Sequence, residues 1–129
     1  MNSKQLILQN LKKLRLLSKT NFVILFGSVS KGTSNPLSDI DLCVSLDLPA
    51  KERFKARIRL SGLAPEKYDI QIFEDLPLYI QKSVISGKVL YCKKQEKLIE
   101  KAIQVINDYD NFKKTYDFYL AKDKTTVEI

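Results

Sequence analysis

The period of the hydrophobic positions changes several times along the 129-residue chain. Between residues 3 and 18, Ile7, Leu11 and Leu14 recur at helical spacing with lysines between them, which predicts an amphipathic helix. "NFVILFG" is a short continuous apolar run ending in glycine, the pattern of a buried strand over 22–26. Residues 27–38 carry Gly32, Asn35 and Pro36 as breakers and read as loop. "DIDLCVSL" alternates, with Ile40, Leu42 and Val44 on one face of a strand and Asp39, Asp41 and Cys43 on the other.

A second helix is expected over about 50–61, entered through Pro49 and ended by Gly62. "KYDIQIF" is a third alternating strand, with Asp69 and Gln71 on one face and Tyr68, Ile70 and Ile72 on the other. Pro77 opens a helix to about Ser86 that Gly87 closes, and "KVLYC" makes a short fourth strand. From Lys93 onward there is neither glycine nor proline, and a long helix over about 94–121 is expected. In it, Leu98, Ala102, Val105, Tyr109, Phe112, Tyr116 and Tyr119 are spaced 4, 3, 4, 3, 4, 3, and Ile99, Ile103 and Ile106 widen that stripe. Such a helix spans roughly 42 Å, more than a small domain needs, so its aromatic end is a candidate partner surface. Strands separated by helices and loops, with no repeat or linker, predict one α/β (α+β) domain over residues 1–129: a small mixed sheet flanked by helices.

Composition narrows the chemistry. The absence of histidine removes Ser-His-Asp and Cys-His catalysis, histidine zinc sites and histidine bases. The formal charge of +7, from 22 basic and 15 acidic residues, favours anionic partners. A nucleic-acid role is not favoured. In "KERFKARIR", Lys51, Lys55 and Arg59 fall on one side of a helix and Arg53 and Arg57 nearly opposite, and the aromatics do not interleave with these bases. No run is long and apolar enough for a membrane span, and the start is amphipathic rather than secretory, so the expectation is a cytoplasmic protein. Cys43 and Cys92 lie far apart in apolar contexts and are expected to be buried thiols.

Two carboxylates at i and i+2 on a strand share a face and repel each other unless a divalent cation lies between them. Oxygen-only ligands suit magnesium or manganese. Asp69 has the same parity on its own strand, so it faces the same cavity if the two strands are neighbours. Three aspartates around two metal ions suit in-line phosphoryl or nucleotidyl transfer. Gly27-Ser28, directly after a buried strand, either makes a tight turn or offers N–H groups and a hydroxyl to phosphate oxygens.

Gly-Ser, ten residues, Asp-x-Asp and a further aspartate on an alternating strand together resemble the signature of the DNA polymerase β-like nucleotidyltransferases. Within that superfamily the chain is similar to the minimal nucleotidyltransferases. "FGSVSKGTSNPLSDIDLCV" carries Phe26 before Gly-Ser, Gly32 and Thr33, Pro36, and Ser38 before Asp39. "YDIQIFEDLP" and "IQKSVISGKVLY" look like the family's third-aspartate strand, the helix after it and the closing strand, and the likeness covers about residues 20–92.

The resemblance implies a nucleotidyltransferase fold with a long C-terminal helix. It assigns Gly27, Ser28 and Lys31 to the triphosphate of ATP or another nucleoside triphosphate, and Asp39, Asp41 and Asp69 to catalysis and to two Mg2+ (or Mn2+) ions. Asp69 would also help deprotonate an acceptor hydroxyl. The chain departs from the family pattern at Val29, where many relatives carry arginine, and at Ser30-Lys31. Lys31 brings a point charge rather than a bidentate fork. Minimal nucleotidyltransferases often serve as antitoxins, transferring AMP to a tyrosine of a HEPN-type toxin with which they form a hetero-oligomer. Two alternatives stay open: a non-catalytic module that neutralises its partner through the C-terminal helix, and a transferase for an aminoglycoside-like small molecule.

Overall fold

In the computed structural model, residues 1–27 and 39–127 are described, the last six of them as helix backbone. The first helix, α1 (Ser3–Lys13), starts at a reciprocal cap: Gln5 N–H donates to the Asn2 side chain (2.8 Å) and Asn2 N–H to the Gln5 side chain (3.1 Å). The helix stops well short of the expected end. Arg15 takes a φ of +59°, its N–H donates to Lys12 O (3.0 Å), and Leu16 N–H donates to Leu11 O (2.8 Å). This pair of bonds is the left-handed helix stop usually made by glycine. An arginine hides it from sequence reading.

A 3-10 turn (Leu17–Lys19) leads into β1 (Thr20–Phe26), followed by β2 (Ile40–Leu46), α2 (Ala50–Leu63) and β3 (Tyr68–Ile72). A second 3-10 turn (Phe73–Asp75), α3 (Leu78–Ile85), β4 (Lys88–Cys92) and α4 (Gln95–Val127) complete the order. The sheet is ordered β3-β2-β1-β4; β1 is antiparallel to both neighbours, and β2 and β3 are parallel. A parallel pair needs a crossover, and α2 supplies it. This helix runs through Gly62, which is exposed with open space at its α-carbon, and ends where Ala64 is forced extended before Pro65.

The alternation of each strand divides the core in two. One face carries Val23, Leu42, Val44, Leu46, Ile70 and Ile72 against Ile7 and Leu11 of α1 and Ala56 and Leu60 of α2. The other carries Phe22, Ile24 and Cys43, covered by Phe73, Val84 of α3 and Val105 of α4. Phe22 and Phe73 meet edge to face, with ring centroids 5.1 Å apart. Cys43 is buried as expected, whereas Cys92 is only half-buried; both are free thiols.

At 33 residues, α4 is about 50 Å long, longer than the sequence expectation. Leu98 and Val105 pack on the core, and Lys82 of α3 sits 4.0 Å from the centroid of the Tyr109 ring. Beyond that contact the side chains of residues 110–121 are all exposed. Ile99, Ile103 and Ile106 do not widen the buried stripe; they are exposed, because the sheet lies on the Leu98–Val105 side. No helix among the described residues is long and apolar enough to cross a membrane.

Arg15 generates a stability prediction. A left-handed conformation costs a side-chain-bearing residue about 1–2 kcal/mol, partly offset by the unfolded-state freedom of glycine. Arg15→Gly is therefore expected to raise unfolding stability by about 0.5–1 kcal/mol, read as a higher urea midpoint with an unchanged slope.

Candidate active site

Two strand registers place the site. Phe26 at the end of β1 pairs with Asp41, and Asp41 pairs across the parallel ladder with Asp69. The condition left open by the sequence, that the two aspartate strands be neighbours, is met. Both aspartates alternate with residues of the α1/α2 face, so both point to the opposite face, at the sheet end where β1 finishes. Asp39 is exposed, just ahead of β2.

Gly27 is there for space as much as for its backbone. Its φ is +80°, and a Cβ built on it would collide with the Asp41 carboxylate. Any larger residue would push that carboxylate out of position. Gly87, at the α3–β4 junction, is equally tight against Leu25 O and the Ile24 and Phe26 side chains, which seats the end of α3 beside the same end of β1. Ser28 and Lys31, the other two residues assigned to the triphosphate, and Val29 lie outside the described residues.

The electrostatics converge on Asp41. Burial, the Asp69 carboxylate, the Asp39 carboxylate and a hydrogen bond with Asp69, in decreasing order, raise it above the ordinary aspartate value. A carboxyl pressed from two sides by like charge is a place where a hard divalent cation relieves repulsion. The donor set, carboxylate oxygens alone, fits magnesium or manganese. Among the described residues the acidic side chains are not closed into a ready-made cage of three ligands.

Sequence reading placed Gln71 on the right face but assigned it no part. Its Nε2 donates to Asp69 Oδ1 at 2.9 Å, and only the shared parity of residues 69 and 71 hinted at this. Glu74 was missed as well. It accepts from Ser45 Oγ and from Leu46 N–H (3.0 Å), tying the turn after β3 to the end of β2. Burial and the Glu74 charge push the Cys43 thiol well up, so it is neutral and inert. A cavity of about 500 Å³ lies at this far end, between the start of α4 and Ser45, and contains none of the three aspartates.

Comparison with known proteins gives the family and the fold. Residues 8–96 match the family described as Polymerase beta, Nucleotidyltransferase. A Methanocaldococcus jannaschii protein provisionally named a protein adenylyltransferase is 38% identical over 76 residues, which make up 58% of each chain. This chain thus spans about 58% of that relative's length. A chain in a crystal structure of a toxin–antitoxin with AMP-PNP superposes with a TM-score of 0.74 at 22% identity, covering 94% of this chain and 98% of that one. A chain in a complex of tri-AMPylated Shewanella oneidensis HEPN toxin with MNT antitoxin gives 0.62 at 21%, covering 92% and 97%. At these identities the solved structures speak for the fold.

Two predictions arise here. Asp41 is raised on folding, so the stability tied to its proton is fully present below the unfolded value of 3.8 and is lost as pH rises through the folded value. In chelator, Asp41→Asn is expected to raise Tm at pH 7 and to leave it unchanged near pH 3, as thermal melts at the two pH values will measure. Gly27→Ala is expected to cost about 1–2 kcal/mol from its left-handed backbone and to weaken Mn2+ binding, followed by titration calorimetry.

Proposed function

The chain belongs to the polymerase beta nucleotidyltransferase family, and on that premise we propose that it is a magnesium-dependent nucleotidyltransferase. It moves a nucleoside monophosphate, AMP by preference, onto a tyrosine hydroxyl of a HEPN-type toxin and so acts as its antitoxin. The observation that carries the reading is the placement of Asp41 opposite Asp69 across a parallel strand pair, with Gly27 against the Asp41 carboxylate.

Asp39, Asp41 and Asp69 would hold the magnesium, and Gly27, Ser28 and Lys31 the triphosphate. Bound there, the metal supplies charge neutralisation for the phosphates and a lowered pKa for a nearby hydroxyl. Asp69 takes the proton of the acceptor hydroxyl on a carboxylate oxygen. The hydroxyl oxygen bonds to the α-phosphorus as the bond to the departing pyrophosphate breaks. The chain's role is to align the reacting atoms and to place negative charge only where the cation needs it.

The partner reading rests on the solved relatives described as toxin–antitoxin complexes and on the distal part of α4. There Phe112, Tyr116, Phe118 and Tyr119 are each more than half exposed, and Phe112 stacks on Tyr116 with centroids 6.2 Å apart. Aromatic side chains held rigid on a helix are suited to a protein interface. We place the pair in the cytoplasm, where nucleoside triphosphate is abundant and Cys43 and Cys92 stay reduced.

The test combines the protein with Mg2+, α-labelled ATP and any co-encoded HEPN-type protein as the toxin. Wild type is expected to label the toxin, and the Asp39→Asn/Asp41→Asn variant to lose at least a hundredfold in rate while still binding. Phe112→Ser/Tyr116→Ser, altered only at exposed positions, is expected to keep its Tm and lose the complex. Toxin neutralised by both wild type and the double aspartate variant, with no label on it, would replace the enzyme by the binding-module reading.

A further inference from the structure

We propose that Gln71 is the positioning residue for Asp69: its side-chain amide holds that carboxylate toward Asp41 for catalysis and metal binding. The inference rests on the proposed function and adds to it a residue that the family motif does not contain.

Asp69 needs such a partner. Its register neighbour is Asp41, a second carboxylate on the same sheet face, and Asp39 adds a third charge. Repulsion among them favours rotation of the Asp69 side chain away from Asp41, and an aspartate on a strand has the rotamers to do so. Gln71 opposes that rotation. Two residues on along β3, on the same face, its Nε2 donates to Asp69 Oδ1 at 2.9 Å. A hydrogen bond to a charged acceptor is worth roughly twice a neutral one, and this one fixes Oδ1 of the carboxylate.

The residue type is informative. A lysine or arginine at 71 would orient Asp69 equally well, but its charge would compete with a cation for the carboxylates. An amide gives a donor without charge. Across the ladder the register partner of Gln71, Cys43, is buried and neutral, so the amide faces no competing charge there. Glu74, in the turn after β3, already accepts from Ser45 and Leu46.

Gln71→Met keeps length and approximate volume but removes the donor, and the residue is only partly buried, so folding is expected to survive. Outer-sphere partners of this kind typically govern 10–100-fold in metal affinity or activity. The expected result for Gln71→Met is Mn2+ binding weakened about tenfold in electron paramagnetic resonance titrations. A fall in kcat of similar size is expected, with the KM for ATP and the Tm unchanged. Gln71→Glu, which adds like charge, should do worse on the first two.

A double-mutant cycle separates positioning from an independent role. If Gln71 acts through Asp69, then Asp69→Asn/Gln71→Met is no weaker in Mn2+ binding than Asp69→Asn alone. Wild-type Mn2+ affinity in Gln71→Met, or losses that simply add in the cycle, would overturn the proposal. Failure of wild type to label the toxin would instead strike the proposed function, because the Mn2+ titrations still decide the case of Gln71.

Discussion

The parallel pairing of β2 with β3 sets two carboxylates, Asp41 and Asp69, directly across a ladder whose strands lie about 4.8 Å apart. Left to themselves these charges would slide or splay the strands. The opposite face prevents it, because Leu42, Val44, Ile70 and Ile72 are all essentially inaccessible there. A one-residue slip would exchange the faces, driving Asp41 and Asp69 into that apolar layer and the aliphatic residues out of it. The hydrophobic core thus locks an electrostatically unfavourable register, and the geometry of the candidate site is its consequence.

That register also depends on the crossover. Pairing β3 beside β2 in parallel requires the chain to return along the sheet, and α2 makes the return with Ala56 and Leu60 turned inward. Two of its arginines have structural work on the same side. Arg53 donates to Leu48 O (2.8 Å) and pairs with Asp75, and Arg57 donates to Ile70 O (3.2 Å). The exposed ion pair alone is worth little. The bonds to main-chain carbonyls tie the helix to the segment that follows β2 and to β3, the strand that carries Asp69. Lys51, Lys55 and Arg59 remain on the outer side.

How much of this was legible in the sequence depends on how local each cause is. Strand parity is a two-residue property, so the faces of Asp41, Cys43, Asp69 and Gln71 could be read directly from "DIDLCVSL" and "KYDIQIF". The order of strands is not local; that β3 lies beside β2 could be stated only as a condition. The α1 stop was illegible because Arg15 adopts a backbone that glycine or asparagine would have advertised. Periodicity defined the stripe on α4 but not which flank the sheet would cover, and so Ile99, Ile103 and Ile106 were placed on the wrong side. The short range of the Gly27 contact escaped too, since only a three-dimensional turn brings its α-carbon against Asp41.

The arrangement of cover on the aspartate face bears on how an acceptor could be aligned. Phe73, α3 and the first turns of α4 close over Phe22, Ile24 and Cys43, while Asp41 and Asp69 at the other end stay partly open. The cavity of about 500 Å³ sits at the wrong end to hold a substrate against them. A small acceptor would therefore gain little orientation from the described residues, and orientation is where much of the rate of a transfer reaction originates. A macromolecular acceptor has another source of it. On the proposed function, a partner docked on the exposed aromatic residues of distal α4 surrenders its freedom once, and its tyrosine then approaches the carboxylates at a high effective concentration. On the same reading, the long helix and the partly open aspartates are two halves of one solution: the partner supplies the wall that the described residues do not.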